Sequence, residues 1–205
     1  MKKFSLILFN VFAHSAVSVE KGTGKGKTVY KINPKKSKIT WTGKKVIGQH
    51  TGTVLVKNGE VHFDGQKLVV ANMKMDMNSI TNTDLSNEEW NRKLVDHLKS
   101  DDFFSVKKHP EALFEATGLK TTAGGGQFLV TGHLTIKGIT HKISFPVTVM
   151  ADNGQLNAKG IVKIDRTKYE IKYGSGSFFK GLGDNMIHDN FKIEFDIVAE
   201  TENIN

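Results

Sequence analysis

The residues of this 205-residue chain that could do chemistry are its eight histidines, a Gly174-Ser175-Gly176-Ser177 run, the Asp165-Arg166 pair and a Gly26-Lys27-Thr28 triplet. Each type demands a particular arrangement. A histidine metal site needs further His, Asp or Glu ligands at fixed spacing. His133 and His141 flank a turn on the polar faces of their strands, with no acid in ligand spacing, and read as surface residues. His14 lies in an N-terminal stretch expected to be removed, and His97, beside Leu98, is expected to hydrogen-bond local backbone. A serine nucleophile needs a base and a sharp Gly-x-Ser-x-Gly elbow with a helix behind it. Ser175 and Ser177 have neither, and their glycine-rich segment reads as a mobile rim. The Gly174, Gly176 and Gly181 spacing also misses the dinucleotide fingerprint. A phosphate loop needs a glycine five positions before its Gly-Lys pair, where Lys21 stands. Asp165 and Arg166 read as a structural ion pair, with contact to a ligand headgroup as the alternative. The chain has no cysteine, which excludes disulfides, thiolate catalysis and cysteine-based zinc sites. The chain is therefore expected not to be an enzyme and to hold no metal and no resident cofactor.

The elements that must position these residues are strands. Apolar residues recur at every second position: Ile39 and Trp41; Met73, Met75 and Met77; Phe128, Val130, Leu134 and Ile136; Ile143, Phe145, Val147 and Val149. Tyr169, Ile171 and Tyr173 follow the same period, as do Phe191, Ile193, Phe195 and Ile197. Each strand thus has one apolar and one wet face, as in an antiparallel sheet. Turn signals stand at Asn58-Gly59, Asp64-Gly65, Gly124 to Gly126, Lys137-Gly138 and Asn153-Gly154. The run 67–77 is long enough to require a bend or bulge. One helix is expected near residues 86–99, capped by Ser86 with Glu89 three residues on, and with Trp90, Leu94 and Leu98 on one face. The layout is about five strands, the helix, then about five strands.

The ends of the chain differ in character. Residues 1–18 read as a signal peptide, with Lys2 and Lys3 before the apolar run Phe4 to Ala13 and small residues after it. A buried N-terminal strand is the alternative. Residues 19–28 read as a Gly/Lys linker, 29–200 as the domain and 201–205 as a tail. The net charge is +8. Lysines concentrate early, at Lys25, Lys27, Lys31, Lys35, Lys36 and Lys38. They read as a solvated face, with anionic headgroups or nucleic acid as alternatives. Aromatics alternate with lysine and so point away from it, which leaves no stacking platform for nucleic acid.

Amphipathic strands alone allow a filled sandwich or a hollow barrel. Their inward set includes Trp41, Phe63, Met73, Met75, Met77, Phe114, Phe128, Val130, Leu134, Phe145 and Val147. Methionine suits a pocket that moulds to a flexible chain, but these residues would equally pack as core. A pattern of ordered blocks narrows the choice. Leu94-Val-Asp-His-Leu98 running to Phe103-Phe104, Lys108-His-Pro110 to Phe114, Gly132-His-Leu134-Thr-Ile136-Lys-Gly138, and Ile164-Asp-Arg166-Thr-Lys-Tyr169 together resemble the YceI-like family. The resemblance covers about residues 29–200. It implies an all-β, lipocalin-like antiparallel barrel of about eight strands with one inserted helix. It further implies a periplasmic or secreted protein holding a polyisoprenoid or isoprenoid quinone. On that reading the ligand contacts are the inward set together with Leu98 and Phe103. The expected partners are a lipid-like ligand and, transiently, a membrane surface. The other reading of the same residues is a secreted stress-related or structural barrel whose own side chains fill it.

Overall fold

The structure is a computed structural model and describes residues 26–65, 67–124 and 126–201. The expected signal peptide, most of the expected linker and residues 202–205 lie outside the described residues. The strands are β1 (Lys27–Ile32), β2 (Lys38–Lys44), β3 (Gln49–Asp64), β4 (Lys67–Asp76), β5 (Glu111–Ala123), β6 (Gln127–Ile136), β7 (Ile139–Asp152), β8 (Gln155–Asp165) and β9 (Asn190–Thr201). The helix α1 spans Glu88–Lys99, between β4 and β5. All pairings are antiparallel, in the order β1-β3-β2-β9-β8-β7-β6-β5-β4, and β3 also pairs with β4. The sheet therefore closes. β1 and β2 are two halves of one interrupted stave: β3 flanks both along one side and β9 along the other. The result is an eight-stave barrel. β1 begins at Lys27, inside the segment read as linker.

The connections sort by end. Tight turns join β3 to β4, β5 to β6 and β7 to β8 at one end. The other end carries the β2–β3 and β6–β7 turns and both long connections, 77–110 and 166–189. Lys137 and Gly138 both have positive φ, as do Asn153 and Gly154, so both hairpins turn with the twist of their strands.

Several local expectations are corrected. Asn58-Gly59 is not a turn: it lies inside β3 beside a bulge, where Gly59 faces Met73 across the ladder. A Cβ on Gly59 would stand 2.4 Å from the Asn72 carbonyl oxygen, so close backbone approach explains the glycine. Among the described residues, four strands precede the helix rather than about five. Residues 169–173 form no strand; Arg166–Tyr169 is a 3₁₀ turn ended by Glu170 at φ 56°. The helix is capped by Asn87, whose side chain accepts from the Trp90 N–H, rather than by Ser86. Trp90 stands exposed under the Lys93 ammonium, so of the three residues expected on one face Leu98 reaches the interior, and Asn91 bonds the preceding loop.

Inside the barrel, three aromatic rings pack against glycines of neighbouring staves. A Cβ built on Gly52 would meet the Trp41 ring at 2.6 Å, one on Gly132 the Phe114 ring at 2.7 Å, and one on Gly160 the Phe195 ring at 2.5 Å. Trp41 and Gly52 are direct register partners, as are Phe195 and Gly160. The Trp41 indole is further fixed by Nε1 donating to the Thr81 carbonyl at 3.1 Å. Outside, ion pairs cross between staves, including Lys31–Glu60 at 2.8 Å and Lys57–Glu111 at 2.7 Å.

Two outcomes are expected. Gly52→Ala drives its Cβ to 1.8 Å from the Thr81 carbonyl as well as into Trp41, and should destabilise the fold by about 1–3 kcal/mol. Gly118→Ala, with open space around it, should stay within about 0.5 kcal/mol in the same denaturant titration. The second concerns pH. Hydrogen bonds from Lys31 and His62 hold the Glu60 carboxyl at about 2, against an ordinary value of 4.5. Lys57, Lys108 and Lys36 lower Glu111, Asp101 and Glu200 in the same way. A depressed carboxylate contributes stability above its unfolded value and loses it as pH falls through its folded value. The thermal midpoint should therefore hold down to about pH 5 and fall below it, and Glu60→Gln should flatten the lower part of that fall.

Candidate functional site: an apolar cavity inside the barrel

The inward faces of the staves leave a cavity of about 290 Å³. Ligand pockets for small molecules begin near this size, and an apolar cavity of about 150 Å³ already admits a benzene ring. Of the residues expected inward, Trp41, Phe63, Met73, Met75, Met77, Phe114, Val130, Leu134, Phe145 and Val147 line the cavity, and so do Leu98 and Phe103. Phe128 does not; it packs beside Val130, Phe145 and Val147 near the β5–β6 turn. Its parity is inward, but it lies at the end of its stave.

Other lining residues were not among those expected to contact the ligand. Leu156, Ala158, Val162 and Ile164 of β8 line the cavity, and their alternation was readable. Phe104, Ile171 and Ile187 come from the long connections; Ile171 kept a period of two there without a strand, and Phe104 and Ile187 carry no periodic signal. Polar residues in the lining are Asn72, Arg166 and His188.

Arg166 is almost wholly buried, yet its charge is already engaged. Its guanidinium donates to the carbonyls of Ile171 at 2.8 Å, Tyr173 at 2.9 Å, Ile187 at 3.0 Å and His188 at 3.1 Å. Asp189 Oδ1 stands 3.7 Å from Nη2. Asp165 is not its partner but caps the 3₁₀ turn, accepting from the Thr167 N–H and hydroxyl. Burial pushes the Arg166 pKa down, opposed by Asp189 and Asp165. Burial, helped by Asp165, pushes the Tyr169 hydroxyl up to about 12.

The segment read as a mobile rim is tied to its surroundings by this knot of hydrogen bonds. Ser175 is completely buried, and Ser177 donates to Asp189. His97 binds a carboxylate rather than backbone: its Nε2 lies 3.0 Å from Asp102, and its ring stands edge-on to Phe103 and Tyr173. His141 Nε2 donates to the Lys168 carbonyl at 2.9 Å, across the wall where β7 and β8 have parted. Among the described residues, no group of three or more His, Asp or Glu stands close enough to hold a metal ion.

A closed antiparallel barrel around an apolar cavity, with Leu98 at the end of α1 reaching its lining, defines a lipocalin-like binding barrel. The YceI-like domain model matches residues 30–199, and the chain belongs to that family. A UPF0312 protein of Azotobacter vinelandii is 34% identical over 92 residues, 45% of this chain and 45% of its own. The chain thus spans less than half the length of the curated relatives it matches. The crystal structure of Burkholderia cenocepacia BcnA superposes with a TM-score of 0.62 at 28% identity, over 82% of this chain and 98% of that one. A polyisoprenoid binding domain from Saccharophagus degradans gives 0.61 at 16% identity, over 85% and 99%, a likeness of fold.

Arg166→Met should test the knot. It strands several buried carbonyls and should cost about 3 kcal/mol or more. Amide exchange should rise across 171–189 before it rises in the strands; uniform exchange would show that Arg166 does not hold this segment.

Proposed function

We propose that this protein is an exported carrier or store that holds one long apolar lipid, a polyisoprenoid or the tail of an isoprenoid quinone, and performs no reaction on it. The observation that carries the reading is the cavity: about 290 Å³ lined almost entirely by hydrocarbon, with the nearby guanidinium tied up by carbonyls. The runner-up, a barrel filled by its own side chains, would leave no such space. The structural likeness to a domain described as polyisoprenoid binding supports the ligand class. Lys2, Lys3 and the apolar run that follows support export to the periplasm or beyond.

The energetics suit reversible carriage. Burying a five-carbon isoprene unit from water is worth roughly 4 kcal/mol, at about 0.8 per carbon. A long tail released into water would be held without useful exchange. Its true alternative is a bilayer, which is equally apolar, so transfer is nearly balanced and governed by fit.

Ala158→Leu separates a binding cavity from an idle void. Ala158 lines the cavity, and the larger side chain fills part of it. The lipid-free protein should gain up to about 2 kcal/mol of stability while lipid recovered per folded molecule falls. Organic extraction with mass spectrometry and a thermal melt read the two effects. Unchanged lipid content, or no lipid in either form after expression in a quinone-containing host, would overturn the reading.

A further inference from the structure

The two ends of the barrel present different surfaces. The tight-turn end is polar, with Asp64-Gly65, Gly124 and Asp152-Asn153-Gly154 at its tips. At the other end the β2–β3 turn is fused to the 166–189 connection. The Val46 N–H donates to the Met186 carbonyl at 3.1 Å, the His188 N–H donates to the Lys44 carbonyl at 2.8 Å, and Lys45 bridges Ile187. On this shared plate Ile47 is 70% exposed, Val46 48%, Phe178 49% and Phe179 50%. These are large apolar groups close to the core that are not taken into it.

Lysines surround them. Lys172 holds its ammonium 4.9 Å above the Phe178 ring and also pairs with Glu170. Lys44, Lys45 and Lys180 are exposed and form no ion pair among the described residues. Besides Glu170, the exposed acid of the connection is Asp184. The cavity also reaches this end: Gly43, Ile187 and His188 line it, and His188 is the exposed member of its lining.

We propose that this plate docks transiently on an anionic bilayer, and that the apolar cargo passes between barrel and membrane beside Gly43 and His188. The inference rests on the carrier reading given above. Paired phenylalanines and an adjoining Val46-Ile47 tip can sink into the boundary between headgroups and acyl chains, while lysines stay at phosphate level. Protein–protein interfaces are depleted in lysine, which favours a lipid surface over a protein partner.

The test uses the full chain and vesicles of phosphatidylcholine, alone or with one-third phosphatidylglycerol. The N-terminal segment is identical in every variant, so differences report the plate. The double variant Phe178→Ser, Phe179→Ser should bind the anionic vesicles about tenfold more weakly. Lys45→Glu with Lys180→Glu should lose roughly fivefold per charge, and only on the anionic vesicles. A wall control, Met150→Ser with Ile161→Ser, removes two exposed apolar side chains from β7 and β8 and should bind as wild type. All variants should keep the wild-type melting point and the wild-type lipid content after purification, while the plate variants exchange lipid with vesicles more slowly. Equal binding by plate variants and wild type, or equal losses in the wall control, would overturn the proposal. So would a wild-type dimer that the phenylalanine variant dissolves, since the plate would then be a contact between copies. If no form carries lipid, the carrier reading fails, and the vesicle measurement still reports on docking by itself.

Discussion

Aromatic rings packed against inward-facing glycines decide what kind of interior this barrel has. Eight staves enclose a space that ordinary side chains can fill. Trp41, Phe114 and Phe195 each lie against a glycine on a nearby stave, where the missing Cβ makes room for the ring. Aromatic area is thereby packed along the wall, and the middle is left vacant. An apolar void costs the contacts its lining atoms do not make. The closed hydrogen-bonded ladder helps to offset that cost, and any ligand that binds the folded form adds stability by mass action.

The division between the two ends follows from that vacancy. Tight turns suffice at one end. At the other, long connections must cover the staves without supplying new ladder pairs, and their backbone carbonyls must still find donors. Arg166 meets much of this demand, reaching four carbonyls from Ile171 to His188. A buried guanidinium is an expensive way to stabilise a loop, but its fixed fork makes the loop conformation specific. The same arrangement removes its charge from the cavity.

Strand and cavity were legible wherever one physical period governed the residues. Val130, Leu134, Phe145 and Val147 alternate with polar neighbours and line the cavity for that reason. The misreadings came where a local signal met a tertiary demand. Asn58-Gly59 has strong turn chemistry, yet there the glycine serves the approach of β4. Tyr169 and Ile171 keep period two without a strand, because a 3₁₀ turn and a left-handed Glu170 bury both. Trp90, Leu94 and Leu98 step by four, which rotates each about 40° from the last, so Leu98 reaches the cavity while Trp90 faces water. Ring–glycine couples such as Gly160 with Phe195 were invisible, since the members lie on different strands and neither alone signals the other.

The interrupted first stave ties closure of the barrel to the arrival of β9. Ile32 pairs with Ala199, and Lys31 stands between Glu60 of β3 and Glu200 of β9 in the ladder. No earlier pairing can substitute for this contact, because β9 is the last of the described strands in the chain. Until it arrives, β2 and β8 each present an unpaired edge, and the interior is a trough open along its length. Joining such distant segments is slow compared with forming local hairpins. A nascent chain is thus held in an open sheet by its own topology, and it becomes a vessel only after β9 has joined β1, β2 and β8.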